Sequence, residues 1–419
     1  MNNYFKKIEN FIFNNYINNY PNELKNKFKY LIENGKRLRP ILCIIFSNIE
    51  YNKKIINNTI NDNIINDTIY NNRNSYCNNN NDDNKIIYNI SICIEIIHSL
   101  SLVLDDLPEM DNDNIRRNKE SFHIKYGIEY TNFFIYYMFN KIGLTLDDSV
   151  NLSYTNSINK NELILLINIF DDIKYLFQLN LNILIDGQYN DLEFGNSIFI
   201  DNNINIDNEI NNNVYIKEKD IIIELLNNNI DNDKLKKIIT LEIINNIELN
   251  INLNLKKTSS LFTLSITIGY FLQLFNKKIN YVDNDEYRII YEHLYTFGNI
   301  LGYIFQISDD ILDYEDDIKN NKPNICSILC ISLVLILLKN GCNWLYINAI
   351  YIKQLMENIN IEEDIINNKT SEKYENTNNN YNNDNYSYYN NKLTFDIKGV
   401  NEIIENIEKR INKFEDLAL

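Results

Sequence analysis

Two aspartate-rich segments stand out in this 419-residue chain. In the first, Asp105-Asp106-Leu107-Pro108-Glu109-Met110-Asp111, two adjacent carboxylates precede a proline that re-phases the backbone, and a third follows it. All three can converge on one side of a helix end. Clustered carboxylates repel unless a cation neutralises them, and hard oxygen ligands suit Mg²⁺. In the second, Gln306, Asp309, Asp310 and Asp313 fall at i, i+3, i+4 and i+7, one face of a helix, between apolar Phe305, Ile307, Ile311 and Leu312. Such a stripe is costly to bury without a metal or a partner. Either cluster alone reads as a solvated acidic turn; two on separate apolar helices are a stronger signal. Basic groups accompany them: Gly35-Lys36-Arg37-Leu38-Arg39-Pro40 opens an apolar segment, Arg116-Arg117 follow the first cluster, and Lys257-Thr258 opens another. Cations near helix starts suit diphosphate oxygens, and Mg²⁺ bridges phosphates to carboxylates.

The elements that must position these groups read as helices. Lys85 to Leu104 carries Ile90, Ile94, Ile97 and Ser101 at spacings of three and four, an amphipathic helix ending at the first acidic cluster. Asp171 to Asp191, Thr258 to Phe275, Tyr287 to Asp313, Ile325 to Met356 and Leu393 to Phe414 share that periodicity. No period-two run is long enough for a sheet. With only 10 Gly and 4 Pro, a many-stranded barrel or sandwich is disfavoured, and the expectation is all-α. Three Asn-rich, low-complexity stretches interrupt the helices at 51–84, 196–250 and 367–391. The first and third read as solvated loops, while the Ile-rich pieces of the second can form helices.

Lys and Arg total 40 against 57 Asp and Glu, a net charge of −17, which disfavours nucleic acid or an anionic membrane as the main partner. The six cysteines show neither a C-x-x-C pair nor zinc spacing, so reduced thiols inside the cell are expected. The first twenty residues lack a signal-peptide core. The longest apolar run, Ile325 to Leu338, is too short to span a bilayer, so a soluble protein without a transmembrane segment is expected.

Taken together, these residues resemble the trans-type polyprenyl (isoprenyl) diphosphate synthases, which include farnesyl and geranylgeranyl diphosphate synthases. Gly35–Pro40 looks like the family's GKRLRP. Glu95-Ile-Ile-His98 through Gly127 is similar to its E-x-x-H…DDLPxMDxDxxRRG…H…(F/Y)G block. Gly187-Gln188-Tyr-Asn-Asp191 resembles the GQxxD helix, Lys257-Thr258 the KT element, and Phe297-Gly298 through Asp313 the G-x-x-x-G-x-x-FQ-x-x-DD-x-x-D segment. The resemblance follows the family's order over most of the chain outside the three insertions. It implies a single domain over residues 1–419, a large helical bundle around a central cavity in the isoprenoid synthase type I fold.

The same resemblance implies roles. Asp105, Asp106 and Asp111 would hold two Mg²⁺ ions on an allylic diphosphate, and Asp309, with Asp310 and Asp313, a third. Arg116, Lys257, Thr258 and Gln306 would meet the allylic diphosphate or the nascent cation. Lys36, Arg39, His98 and Arg117 would bind isopentenyl diphosphate, and Lys322 fits the lysine of the loop after the second cluster. The implied reaction is a Mg²⁺-dependent ionisation, condensation and elimination, carried out by a homodimer. Leu100 and Ser101, five and four residues before Asp105, stand where the family places bulky aromatics that floor the product pocket. Ser101 is one turn below Asp105, roughly 6 Å deeper, so a product of geranylgeranyl length or longer is expected.

Four departures accompany the resemblance. Leu104 stands where His is common, and Asn118 replaces the glycine after the paired arginines. A Gly-Asp pair is missing from Thr131–Phe139, and the loop after Asp313 is short by one lysine. The short loop and the missing pair favour a second reading, a catalytically weak subunit that tunes an active partner. A third reading, a class I terpene cyclase, needs no isopentenyl site, and Lys36, Arg39 and His98 weigh against it. The default location is the cytoplasm, with a plastid or mitochondrial lumen as the alternative.

Overall fold

The computed structural model describes residues 1–48, 74–155, 160–197, 216–227, 241–282, 284–319, 324–375 and 393–418. They are helical almost throughout, as the sparse Gly and Pro require. Helices α1 (Asn2–Asn14), α2 (Asn22–Ile32), α3 (Leu38–Ser47) and α4 (Asn74–Asp105) precede a two-stranded hairpin, β1 (Ile115–Arg116) with β2 (Lys119–Glu120). Helices α5 (Phe122–Tyr126), α6 (Ile128–Thr155), α7 (Lys160–Ser197), α8 (Ile216–Asn227) and α9 (Leu241–Asn254) follow. A π-helical turn (Leu255–Ser259) leads into α10 (Ser260–Lys277), α11 (Asp285–Lys319), α12 (Ile325–Ile328), α13 (Ile331–Glu375) and α14 (Ile397–Ala418).

Much of the expected insertions lies outside the described residues. Where they are described they are helical: α4 begins at Asn74, α8 and α9 occupy parts of 196–250, and α13 runs on to Glu375. The helix expected over Ile325–Met356 is split. The Asn324 side chain caps α12 by accepting from the Cys326 N–H at 2.9 Å, and Leu329 is extended, so α13 starts afresh at Ile331.

The described residues form two compact units. The first comprises Asn2–Lys174 with Ile268–Asn280. Its centre is α4, buried on nearly every side from Ile86 to Ser101, the pattern of a helix enclosed by others. Helices α3 and α6 pack along it, and α1 and α2 pack beside it. Phe134, Met138 and Ile142, four residues apart, turn the buried face of α6 inward, while Tyr130, Phe133 and Tyr136 stay exposed.

The second unit comprises Met1, Tyr175–Thr267 and Tyr281–Leu419, with α11 against α8, α13, α14 and the π-helical turn. Two glycines four residues apart on α11 permit its close approach: a Cβ on Gly298 would meet Thr263 Cα at 2.6 Å, and one on Gly302 would meet Ser259 Cα at 2.5 Å. Helix α14 buries Val400, Ile403, Ile404, Ile407 and Ile411, a stripe at helical spacing.

Three described helical stretches are long and apolar enough to cross a membrane by length and composition: Asp82–Asp105, Asn245–Lys277 and Ile331–Ile359. The first two are 83% and 94% buried inside the protein, as core helices are. The third is 44% buried, with Ile347, Ile350 and Tyr351 exposed; it outruns the Ile325–Leu338 run because the helix continues past Lys339.

Candidate active site

In the first unit, α4 carries Glu95, His98, Leu100, Ser101 and Asp105 on successive turns. The chain then folds back: the Asp111 N–H donates to the Asp105 carbonyl at 2.9 Å, and the Asn112 N–H to that of Leu107 at 3.0 Å. This turn brings the third aspartate back to the helix end. Asp105 and Asp106 are buried there and Asp111 is exposed. Burial raises the Asp106 pKa, and the favourable pull of Arg116 does not offset it.

The hairpin that follows presents both arginines. Arg117 and Asn118 have φ of 53° and 61°, the left-handed pair of a type I′ turn. Asn tolerates that conformation best after glycine, which is why Asn118 can stand where the family has Gly. Arg116 Nε donates to Asp106 Oδ1 at 2.8 Å, joined by Nη2, which also reaches Asp113. Arg117 Nη1 donates to the Glu33 carbonyl at 3.3 Å.

Lys36 is exposed on the segment entering α3, and Arg37 and Arg39 are buried. Arg37 starts α3 in the left-handed region, φ 55°, a conformation costly for a residue with a Cβ. Glu95 Oε1 holds it at 3.0 Å and Glu9 Oε1 at 2.7 Å. His98 is half-buried. Its pKa falls well below the usual value, first through desolvation and then through Arg39, Arg117, Arg116 and Arg37. At neutral pH it is therefore an uncharged imidazole among four guanidinium groups, a setting that attracts a polyanion. Leu100 is fully buried, and Ser101 donates its hydroxyl to the His98 carbonyl at 2.9 Å.

In the second unit, Lys257 and Thr258 lie in the π-helical turn between α9 and α10, rather than at a fresh helix start. The bulge is tolerated because Gly187 of α7 leaves room: a Cβ there would sit 2.8 Å from Lys257 N. Thr258 Oγ1 donates to Gln306 Oε1 at 2.8 Å, and Gln306 Nε2 donates to Asp310 Oδ1 at 2.8 Å. Asp310 Oδ2 accepts from the Ile325 N–H at 3.3 Å, and Asn324 Nδ2 donates to the Asp310 carbonyl at 2.7 Å and to Asp317 at 2.8 Å. Asp310 is thus built into the α11–α12 junction. Desolvation pushes its pKa up to about 7, with the hydrogen bonds from Gln306 and Ile325 opposing. Asp309, on the same helix, accepts from Arg410 Nη1 of α14, and Asp313 is exposed. Lys322 lies outside the described residues.

The spacing reading missed two groups. Arg37 and Glu95 were visible only as letters within motifs, and their pairing spans 58 residues. Arg410 follows Lys409, three positions after Ile407, on a helix whose apolar stripe could have flagged its inward lean.

The donor set can be tested against Mg²⁺. Asp105 and Asp106 sit at the carboxyl end of α4, where the helix dipole adds negative potential. Buried Asp106 and Asp310 have raised pKa values, a strain that a cation relieves. Hard oxygen donors in this state fit Mg²⁺. Among the described residues, no three His, Cys, Asp or Glu side chains stand close enough together to form a ready metal cage. Arginines meet two of the carboxylates: Arg116 at Asp106 and Arg410 at Asp309.

The fold is that of solved prenyl-transferring enzymes. A geranyltransferase from Helicobacter pylori 26695 superposes over 97% of this chain and 96% of its own, with TM-score 0.54 and 17% identity. One from Legionella pneumophila covers 98% and 96%, with TM-score 0.51 and 14% identity. The family model described as Polyprenyl synthetase matches residues 21–201 and 236–378, more than half of the sequence, and the chain belongs to that family. The gap in the match, 202–235, falls within the second expected insertion. Similar relatives include the farnesyl diphosphate synthase of Buchnera aphidicola subsp. Acyrthosiphon pisum (strain APS), 29% identical over 237 residues, 56% of this chain and 61% of that protein. The geranylgeranyl diphosphate synthase of Cyanophora paradoxa is 59% identical over 34 residues, 8% of this chain and 11% of its own. The chain spans less than two thirds of the length of the first of these relatives.

Proposed function

We propose that this protein is a trans-prenyltransferase that condenses isopentenyl diphosphate with an allylic diphosphate to make geranylgeranyl diphosphate or a longer product. The observation that carries the reading is that Arg39, Arg117, Arg116 and Arg37 all act electrostatically on His98, about two helical turns before the Asp105–Asp106 pair on α4. A basic pocket beside a carboxylate pair suits two diphosphates of which one is metal-bridged. Asp105, Asp106 and Asp111 of the one unit, and Asp309, Asp310 and Asp313 of the other, would each hold Mg²⁺, which would neutralise a leaving diphosphate; the family precedent is three ions. Arg116 and Lys257 are each suited to diphosphate oxygens, and positive charge there would stabilise the negative charge that develops as the C–O bond ionises. Lys36, Arg39, His98 and Arg117 orient the isopentenyl diphosphate so that its double bond meets the allylic cation. Thr258 and Gln306, hydrogen-bonded to each other at 2.8 Å, would place hydroxyl and amide dipoles beside that cation. A proton is then lost from the condensed product to the departed diphosphate.

Product length rests on Leu100 and Ser101, neither of which is aromatic. The exposed aromatic face of α6 (Tyr130, Phe133 and Tyr136) supports homodimerisation. The weak-subunit reading, favoured by the short loop and the missing Gly-Asp pair, gains a further support in the arginines that meet Asp106 and Asp309.

The test is an extension assay with Mg²⁺, isopentenyl diphosphate and, separately, dimethylallyl, geranyl, farnesyl and geranylgeranyl diphosphates, with products sized by mass. Products of geranylgeranyl length or longer that vanish in Asp105→Ala and Asp309→Ala support the proposal. Folded protein that turns over no primer sinks it in favour of the partner-subunit reading, and cyclic products without isopentenyl incorporation favour the cyclase.

A further inference from the structure

Helix α14 delivers one charged group to the second acidic cluster. Its buried stripe, Ile403, Ile407 and Ile411, docks the helix, and Arg410 follows Ile407 by three positions on the same side. The neighbouring turn is tied down where Tyr346 of α13 donates its hydroxyl to Glu408 Oε2 at 3.1 Å. Three contacts fix the guanidinium itself. Nη1 donates to Asp309 Oδ1 and to Ser308 Oγ at 2.9 Å, and the group lies 4.5 Å from the centre of the Phe305 ring. The side chains of Arg410 and Asp309 are 18% and 31% exposed, so the pair is partly withdrawn from solvent.

We propose that Arg410 is a resident counter-ion of Asp309 which a divalent cation must displace, so that this residue sets the metal affinity of the second cluster. The inference rests on the reading of Asp309 as a metal ligand. The physical ground is competition for one oxygen. A divalent ion coordinates a carboxylate oxygen at about 2.0–2.1 Å for Mg²⁺, and a guanidinium N–H directed at the same atom opposes it by charge repulsion and by occupying a lone pair. Because Ser308 and the Phe305 ring hold the group in place, little side-chain entropy is lost in forming the pair, and the incoming metal must break an organised contact. The long side chain needs only a rotamer change to withdraw, leaving α14 anchored by its apolar stripe.

The experiment measures Mn²⁺ binding to the full chain, with free Mn²⁺ read by electron paramagnetic resonance. The proteins are wild type, Arg410→Gln, Arg410→Lys, Asp105→Asn and the double variant Asp309→Asn/Arg410→Gln. Arg410→Gln is expected to tighten one class of Mn²⁺ sites by about tenfold, the scale of one charge-assisted contact removed. The double variant is expected to lose that gain. Arg410→Lys keeps the charge but loses the planar fork, and should tighten binding by less; it decides the matter if the glutamine variant does not fold. Unchanged or weaker Mn²⁺ binding in both Arg410 variants, with Asp105→Asn still weakening it, overturns the counter-ion role and leaves the metal reading standing. Absence of Mn²⁺ binding in every protein overturns both.

Discussion

Replacing Gly302 by alanine isolates the close approach of α11 to the π-helical turn. The added Cβ would stand 2.5 Å from Ser259 Cα and 2.9 Å from its Cβ and Oγ. Ordinary carbon–carbon contact is about 3.5–4.0 Å, so the shortfall is about 1 Å, and it is against backbone, which cannot swing aside. Overpacking of that kind costs about 1–3 kcal/mol. Alanine in a helix interior returns about 0.5–1 kcal/mol relative to glycine. The net expectation is a loss of about 1–2 kcal/mol, read as a lower urea midpoint with unchanged slope. The backbone that must yield belongs to Ser259, next to Thr258, whose hydroxyl donates to Gln306. Turnover should therefore fall more than stability does. A variant as stable as wild type, or more so, would mean that helix propensity outweighs the contact and would refute the reasoning.

Other outcomes follow from single contacts. Glu95→Gln removes the buried charge facing Arg37, both side chains being 2% exposed or less, and should cost about 3 kcal/mol in urea unfolding; a loss under about 1 kcal/mol would show that Glu9 suffices. The Asp310 pKa, raised from 3.8 to about 7, means the folded state holds a proton that the unfolded state has released. The associated stability is present below the unfolded value and is lost as pH rises through about 7. In metal-free buffer, wild-type stability should decline from about pH 4 to pH 7, and Asp310→Asn should flatten that decline; parallel curves would refute it. Ser101→Phe should shorten the extension product, read by mass, and an unchanged product would place the pocket floor elsewhere.

Sequence periodicity made the helical class legible, because amphipathic spacing survives even in an Asn-rich chain: Ile90, Ile94 and Ile97 are buried as their spacing requires. The two acidic clusters were legible because their carboxylates are adjacent in sequence. The counter-ions were not. Arg410 meets Asp309 across 101 residues and Arg37 meets Glu95 across 58, and no local pattern encodes such pairings. Nor did the face shared by Asp309 and Asp310 reveal that Asp310 turns to the Ile325 N–H while Asp309 turns to Arg410; the split depends on the chain returning to Asp310 at the start of α12. The hairpin at Ile115–Glu120 escaped because two-residue strands carry no period, although Arg-Asn at its turn is legible in hindsight as a left-handed pair.

The contact of Arg37 with both Glu9 and Glu95 constrains how this sequence can drift. A chain that accumulates Asn and Ile in its insertions cannot place either at Arg37 without also changing Glu95. Neutralising Arg37 leaves the buried Glu95 uncompensated, whereas losing either glutamate alone leaves Arg37 paired with the other. Helix α1, outside every recognised motif, supplies the second carboxylate and so holds a reserve counter-ion for the segment that positions the basic pocket. Loss of Glu9, by substitution or by cleavage beyond it, would be tolerated while Glu95 keeps its charge, and loss of both glutamates would not.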